Sequence, residues 1–187
     1  MDYLQDYKYN VNPVIVVSLD QVIRFSNWRS DRVFEGLLIR YEIIEINRNA
    51  NPKNVFTKDR YLRSKLGVEN KDLVTHFPLY FVPEFQDWQV VKDKIESNVV
   101  KVKMIIFAGN AKSHQAENGI PFVPIKNVEG KMRDGVLYNI LGNVSEILNE
   151  PNRAIGGSYK DDLTTILKFE ETEYTSGQQD VGFRNFC

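Results

Sequence analysis

The residue types that most often carry out acid–base or metal chemistry are scarce in this chain, which has only two histidines, His76 and His114. His114 follows Ser113 and stands near Glu117 in a polar stretch, so the three could act as a nucleophile with its base. Adjacent loop residues rarely present that geometry, and no Gly-x-Ser-x-Gly motif holds a serine on a sharp turn. We interpret this stretch as a solvated loop, and two histidines do not support a His-rich metal site.

Acidic side chains near the C-terminus could bind Mg²⁺ for phosphodiester hydrolysis. They are Asp161, Asp162, Glu170, Glu171 and Glu173. The triplet Glu129-Gly130-Lys131 also has the Glu-x-Lys spacing of a common nuclease core, but it falls in a predicted turn. Its nearest upstream aspartate, Asp93, falls on a predicted helix. Glu170 and Glu171 are neighbours, which a strand sends to opposite faces. A metal-dependent nuclease is therefore an alternative and not the leading hypothesis.

A glycine pair, Gly156-Gly157, precedes Ser158 and Lys160, which is a composition found in phosphate-binding turns. The spacing matches neither Gly-rich fingerprint, and the segment leads into a predicted strand instead of the N-terminus of a helix. We therefore predict a plain turn at this position.

The segment 61–77 resembles a helix-turn-helix in its Leu-Gly-Val turn and in the position of Leu73. However, Arg63 stands where that motif needs a small residue, and Glu69 and Asp72 would face the DNA phosphates. An ordinary helical hairpin is the preferred interpretation. Whether the predicted helical pair contacts nucleic acid is left open, so a DNA or RNA binder joins the nuclease as one alternative, a small nucleic-acid-acting protein.

The bulk composition places limits on partners and location. With 24 Lys and Arg against 25 Asp and Glu, the chain has no global attraction to nucleic acid or to an anionic membrane. No apolar run approaches the ~18 residues of a membrane span, and the first residues lack the features of a secretory signal. The single cysteine, Cys187, cannot form an intrachain disulfide. We expect a protein of the cytoplasm or of an assembled particle, with no cofactor and no membrane partner.

The clearest periodicity in the chain lies between Asp134 and Pro151. Asp134 is a good N-cap, Pro151 prevents continuation, and apolar residues recur at helical spacing between them. We predict an amphipathic helix that packs on a sheet. Its core-facing residues are Leu137, Ile140, Leu141, Val144, Ile147 and Leu148.

Other elements follow from capping residues and β-branched runs. Thr57 is a candidate N-cap, and an Asn-rich stretch is expected to form turns through its side chains. The Asn residues are Asn47, Asn49, Asn51 and Asn54. Further helices are predicted over 58–66, 71–77 and 85–96. Strands are predicted over 14–19, 21–27, 32–47, 99–107 and 163–174, with 32–47 also compatible with a helix. Since no βαβ rhythm appears, we predict an α+β fold with a mixed or mostly antiparallel sheet of about five to seven strands and three to four helices.

The ends of the chain differ in composition from its middle. We predict an N-terminal arm over 1–12, a single α+β domain over 13–174 and a C-terminal tail over 175–187. Aromatic residues in the two end segments are expected to contact neighbouring subunits by strand addition or aromatic docking. They are Tyr3, Tyr7, Tyr9, Phe183 and Phe186.

No catalytic constellation in the sequence stands out from an ordinary structural interpretation. The leading hypothesis is therefore a non-enzymatic structural or assembly protein that forms a homo-oligomer or binds neighbouring subunits. We expect it to act as a connector, ring, tail or coat subunit of a virus or phage particle.

Overall fold

The computed structural model describes residues 13–66, 77–96, 102–103, 137–138, 140, 142–161, 163–175 and 177–187. Its contacts divide the chain into two compact units. The helical unit comprises Asp20–Phe81 and Asn185–Cys187. The sheet unit comprises Met1–Leu19 and Val82–Arg184. Each unit is described separately below.

The helical unit is built on one long helix, α1 (Leu19–Arg40). Every fourth residue along one side of α1 is buried, and two of these residues are serines. Ser26 Oγ donates to the carbonyl oxygen of Val22 (2.8 Å), and Ser30 Oγ donates to that of Ser26 (2.9 Å). These bonds satisfy the hydroxyl groups inside the helix, so the buried side extends along the helix from Val22 to Leu38.

The predicted strands over 21–27 and 32–47 are wrong, because α1 covers residues 19–40. The β-branched residues favour a strand locally, and the serines at two buried positions conceal the apolar period of the helix. In the predicted strand 14–19, the structure has only one isolated bridge, between Ile15 and Gly182.

The second helix of this unit, α2 (Lys58–Leu66), confirms the predicted helix. Thr57 Oγ1 accepts a hydrogen bond from the Arg60 backbone N–H (3.3 Å), so the predicted N-cap is also confirmed. The ring of Phe34 lies 5.8 Å from that of Tyr61 and 6.0 Å from that of Phe56, which connects α1 to α2. Of the predicted helix 71–77, all but Phe77 lies outside the described residues.

The Asn-rich segment between α1 and α2 forms the predicted turns. Asn47 Oδ1 accepts from the Asn49 N–H (3.1 Å), and Asn51 Oδ1 accepts from the Lys53 N–H (2.9 Å). In both cases an asparagine side chain replaces a backbone carbonyl two residues before the donor. This prediction is confirmed.

The sheet unit contains a third helix, α3 (Phe85–Glu96), as predicted. Its strands are β1 (Val102–Lys103), β2 (Leu137–Tyr138), β3 (Ser145–Ile147), β4 (Arg153–Ile155), β5 (Thr172–Glu173) and β6 (Val181–Gly182), and a short helix, α4 (Leu163–Lys168), precedes β5. Strands β1 and β2 form a parallel pair. The other four form a mixed sheet in the order β5-β4-β3-β6, in which β4 is antiparallel to both neighbours and β3 is parallel to β6.

The predicted helix between Asp134 and Pro151 is wrong, because β2 and β3 occupy its ends. Gly142 and Asn143 have positive φ angles of 76° and 69°, which no α-helix contains. Residues 142–148 are all buried. A segment buried on every side has no polar face, so its apolar spacing does not distinguish a helix from a strand.

The six residues expected in the core are placed as follows. Ile140, Val144, Ile147 and Leu148 are buried in the sheet unit. The side chains of Leu137 and Leu141 lie outside the described residues.

The predicted final strand over 163–174 is wrong for its first half, which is α4. Phe169 has a φ of 56°, a left-handed conformation that ends the helix before β5 begins. At the C-terminal end, β6 places Val181 and Gly182, which the sequence assigns to the tail, in the sheet.

The described structure combines helices with a mixed sheet, an α+β arrangement. The larger sheet has four strands, fewer than the predicted number. Within the described ranges, no helix has the length and apolar character needed to cross a membrane.

Candidate functional site

Two aromatic side chains lie next to each other on the solvent side of α1. Trp28 is 55% exposed and Phe25 is 40% exposed. Their ring centroids are 5.7 Å apart with an interplanar angle of 33°. The i, i+3 spacing places them on one face of the helix. Ile23, which is also exposed, lies about 140° around the helix axis from Trp28, so it does not extend this face.

Charges of both signs border the aromatic pair. Arg24 Nη2 lies 2.5 Å from Asp20 Oδ2, and both side chains are largely exposed. The guanidinium of Arg29 stacks over the ring of Tyr80 at 4.3 Å from its centroid. Exposed tryptophan and arginine are the residue types that contribute most to protein–protein interfaces. We therefore take Phe25 and Trp28, bordered by Asp20, Arg24 and Arg29, as the α1 surface.

Of the aromatic residues expected to contact neighbours, Tyr3, Tyr7 and Tyr9 lie outside the described residues. Phe186 is engaged within its own chain. Its backbone N–H and carbonyl each bond to Phe81 at 3.0 Å, and the two rings lie 6.2 Å apart. Phe183 is partly buried. Phe186 therefore packs against another residue of its own chain.

Three acidic residues of the alternative nuclease hypothesis, Asp161, Glu171 and Glu173, have protein partners. Glu171 and Glu173 lie 3.8 and 3.7 Å from Arg153. Asp161 Oδ2 accepts from the Ser158 N–H (2.7 Å) and from Ser158 Oγ (3.0 Å). In the part of the chain that the structure describes, no group of three or more His, Cys, Asp or Glu side chains is arranged to hold a metal ion. Glu170 is exposed. The other candidates, His76, His114, Glu129, Lys131 and Asp162, lie outside that part.

The turn that contains Ser158 is a capping arrangement. Ser158 Oγ accepts from the Lys160 N–H (3.2 Å), while Asp161 accepts from the Ser158 N–H. This reciprocal pattern is that of a capping box, and here it stabilises the turn that leads into α4. The hydrogen bond from Lys160 Nζ to Asp180 (2.7 Å) raises the pKa of that lysine. Ser158 is buried, so it is not presented as a nucleophile.

The glycine pair serves backbone packing, which agrees with the predicted turn. Gly156 has a φ of 90°, and a Cβ added to it would lie 2.7 Å from the carbonyl oxygen of Ile140. The Gly156 carbonyl also accepts from the Gly142 N–H at 2.7 Å. Two segments of the sheet unit therefore meet at a distance that only glycine allows.

We expect Gly156→Ala to lower the free energy of unfolding by about 1–3 kcal/mol, because the alanine must adopt a left-handed conformation and displace a backbone carbonyl. Urea denaturation measures the change. Gly36→Ala is the matched control, since Gly36 lies in α1 with no atom within 4 Å of an added Cβ. That substitution should stabilise the protein by roughly 0.5–1 kcal/mol. Equal effects of the two substitutions would contradict the close approach.

A pocket of about 250 Å³ lies in the helical unit beside α2. Its lining includes Glu35, Arg60 and Tyr61. Glu35 already pairs with Arg32 at 2.7 Å, and Arg60 Nη1 donates to the Val55 carbonyl at 2.9 Å. These charges are satisfied within the chain and do not converge on a ligand.

Among the described residues of the sheet unit, Glu146 is a buried charged residue that pairs with Arg184, whose side chain is 31% exposed. Glu146, on β3, is 5% exposed. It accepts three hydrogen bonds from Arg184, of 3.0, 3.0 and 2.8 Å. Burial raises the pKa of Glu146 above its ordinary value, and the charge and hydrogen bonds of Arg184 offset part of this effect. Burial lowers the pKa of Arg184, but the attraction to Glu146 outweighs it, and the pKa of Arg184 is raised.

The chain matches no family model, no curated protein and no solved structure. Function is therefore argued from the residues themselves. The sequence does not reveal the α1 surface, because Trp28 falls between two segments predicted as strands, 21–27 and 32–47. The spacing of Phe25 and Trp28 becomes informative only once the helix is known. The Glu146–Arg184 pair is equally hidden, since 38 positions separate its members.

Proposed function

We propose that this protein is a non-enzymatic structural subunit that assembles with further copies of itself through the α1 surface. The observation that carries the proposal is the adjacent, solvent-exposed pair Phe25 and Trp28. A connector, ring, tail or coat subunit of a virus or phage particle is the class of protein that the sequence led us to expect, and such subunits work by this kind of contact.

The chemistry of the surface supports association with a protein. A tryptophan that is half exposed keeps a large apolar area in water, and covering it is favourable by about 25 cal/mol per Å². Aromatic residues and arginine are enriched at interface centres, and Arg24 and Arg29 border this pair. The surface thus has the residue types of an interface hot spot on a rigid helix.

The charges on the surface support a second copy as the partner. Asp20 and Arg24 are neighbours of opposite sign, and both side chains are more than 70% exposed. A surface with charges of both signs can pair each charge with its opposite on a neighbouring copy. The chain as a whole is close to neutral, with 24 basic and 25 acidic residues, so copies do not repel one another strongly.

The proposal predicts that Trp28→Asp disrupts self-association. Size-exclusion chromatography with light scattering should give the wild-type protein a mass of at least two subunits, and the variant a mass close to the 21.7 kDa of one chain. The reason is that a carboxylate placed at the centre of an apolar contact must be desolvated without a partner.

Val90→Asp is the matched control. Val90 lies on α3 and is 53% exposed, so the substitution adds the same charge at a similarly exposed position. This variant should retain the wild-type mass, and circular dichroism should show that both variants are folded. A wild-type protein that stays at 21.7 kDa at all concentrations would contradict the proposal. If both variants lost assembly equally, the α1 surface would not be the site of self-association.

A further inference from the structure

The exposed area of the aromatic pair limits the kind of partner that can cover it. With Trp28 at 55% and Phe25 at 40% exposure, the two side chains present roughly 200 Å² of surface. A standard interface buries roughly 800 Å² on each partner. The pair alone is therefore too small for a stable contact between two rigid bodies. An extended segment that covers the pair and continues over neighbouring surface is a better match.

The chain itself contains a segment of suitable chemistry. Residues 1–12 include Tyr3, Leu4, Tyr7 and Tyr9, together with the acidic residues Asp2 and Asp6 and the basic residue Lys8. Tyrosine supplies a large contact area at a low cost in side-chain entropy. Two carboxylates and one lysine leave the segment with an excess of one negative side chain, and Arg24 and Arg29 beside Asp20 leave the α1 surface with an excess of one positive side chain, so the two are complementary. Twelve residues span at most about 40 Å when extended, so such a segment can continue well beyond the aromatic pair that it covers.

We propose that the segment 1–12 of one copy binds the α1 surface of a neighbouring copy, with tyrosine rings against Trp28 and acidic side chains near Arg24. This inference rests on the proposed function and names the occupant of its interface. Each copy then carries one donor segment and one acceptor surface. Donor and acceptor lie on different parts of the chain, so they can be inactivated separately.

A mixing experiment tests this directly in the full-length protein. The variant Tyr3→Ser/Tyr7→Ser/Tyr9→Ser lacks a functional donor, and Trp28→Asp lacks a functional acceptor. Each variant alone should lose assembly by about tenfold or more in dissociation constant, because hot-spot aromatic residues are removed. An equimolar mixture should form a species of two chains, since the intact donor of one variant fits the intact acceptor of the other.

Tryptophan fluorescence gives a local readout of the same contact. The chain has two tryptophans, and Trp88 is 0% exposed while Trp28 is exposed. A synthetic peptide of residues 1–12 added to the triple tyrosine variant should shift the emission of Trp28 to shorter wavelength, with Trp88 as a constant background. The same peptide should cause no shift when Trp28 is replaced by phenylalanine, which preserves the apolar surface but removes the reporter.

The outcomes separate this inference from the proposed function. If Trp28→Asp abolishes assembly while the triple tyrosine variant assembles like the wild type, the α1 surface is an interface but segment 1–12 is not its occupant. If each variant is monomeric and the mixture stays monomeric at concentrations at which the wild type assembles, exchange between copies is also excluded. A wild-type monomer overturns both proposals.

Discussion

Arg184→Ala will lower the free energy of unfolding by about 3–5 kcal/mol, because it leaves the carboxylate of Glu146 buried without its partner. Glu146 is 5% exposed and accepts all three of the described hydrogen bonds from Arg184. Chemical denaturation at neutral pH measures the loss.

The loss should depend on pH in a defined direction. Burial raises the pKa of Glu146 above its ordinary value of 4.5, so the unfolded chain releases its proton first as the pH rises. Between the two pKa values the folded state binds more protons than the unfolded state, and stability falls with rising pH. Removing Arg184 raises the folded-state pKa of Glu146 further. The destabilisation by Arg184→Ala should therefore be smallest near pH 4 and should grow towards neutral pH.

Two comparisons isolate the effect of burial. Lys160→Ala removes another ion pair, with Asp180, but the Lys160 side chain is 54% exposed, so the loss should stay below about 1 kcal/mol. Replacing both partners, as in Glu146→Leu/Arg184→Met, should recover most of the stability, because no buried charge remains. A loss in Arg184→Ala no larger than that in Lys160→Ala would show that Glu146 is not desolvated.

Trp88→Ala should cost about 3–5 kcal/mol of unfolding free energy, since it removes the largest fully buried side chain and leaves a cavity. Trp88 lies on α3, and its ring packs against that of Phe169 with centroids 5.6 Å apart at an angle of 69°. This edge-to-face geometry adds to the energy of area burial. Thermal and urea denaturation measure the change.

The control for this substitution lies on the same helix. Val90→Ala truncates a side chain that is 53% exposed, and should change stability by no more than about 0.5 kcal/mol. Phe169→Leu should give an intermediate loss, because it removes the aromatic contact and keeps an apolar side chain. If Trp88→Ala and Val90→Ala had similar effects, the core of the sheet unit would not include α3.

Some elements are predictable from the sequence because their signals are local. The N-cap Thr57 marks the start of α2, and the asparagine turns of residues 47–54 are made by side chains two positions from their donors. The helix α3 is similar, with Trp88 on an apolar face. In each case the interactions that form the element lie within a few residues of it.

The wrong predictions share one cause: the interactions that determine these elements join residues that are distant in the sequence. In α1, Ser30 occupies a buried position because its hydroxyl donates to the Ser26 carbonyl and accepts from the Tyr80 N–H, 50 positions away. In β3, Ser145, Glu146 and Ile147 are all buried, so the segment has no exposed face to reveal a period. The α1 surface is formed by residues of α1, so it could not be located while this segment was predicted as strands.

The pairing of β3 also sets an order for folding. Glu146 pairs with Ile155 of β4 across 9 positions and with Gly182 of β6 across 36. Shorter loops close at a lower entropic cost, so the β3–β4 hairpin should form first and β6 should join later. We therefore expect Arg184, two residues beyond β6, to reach Glu146 only after the rate-limiting barrier has been crossed. Arg184→Ala should consequently accelerate unfolding far more than it slows refolding, and the unfolding arm of a stopped-flow chevron plot will report the difference.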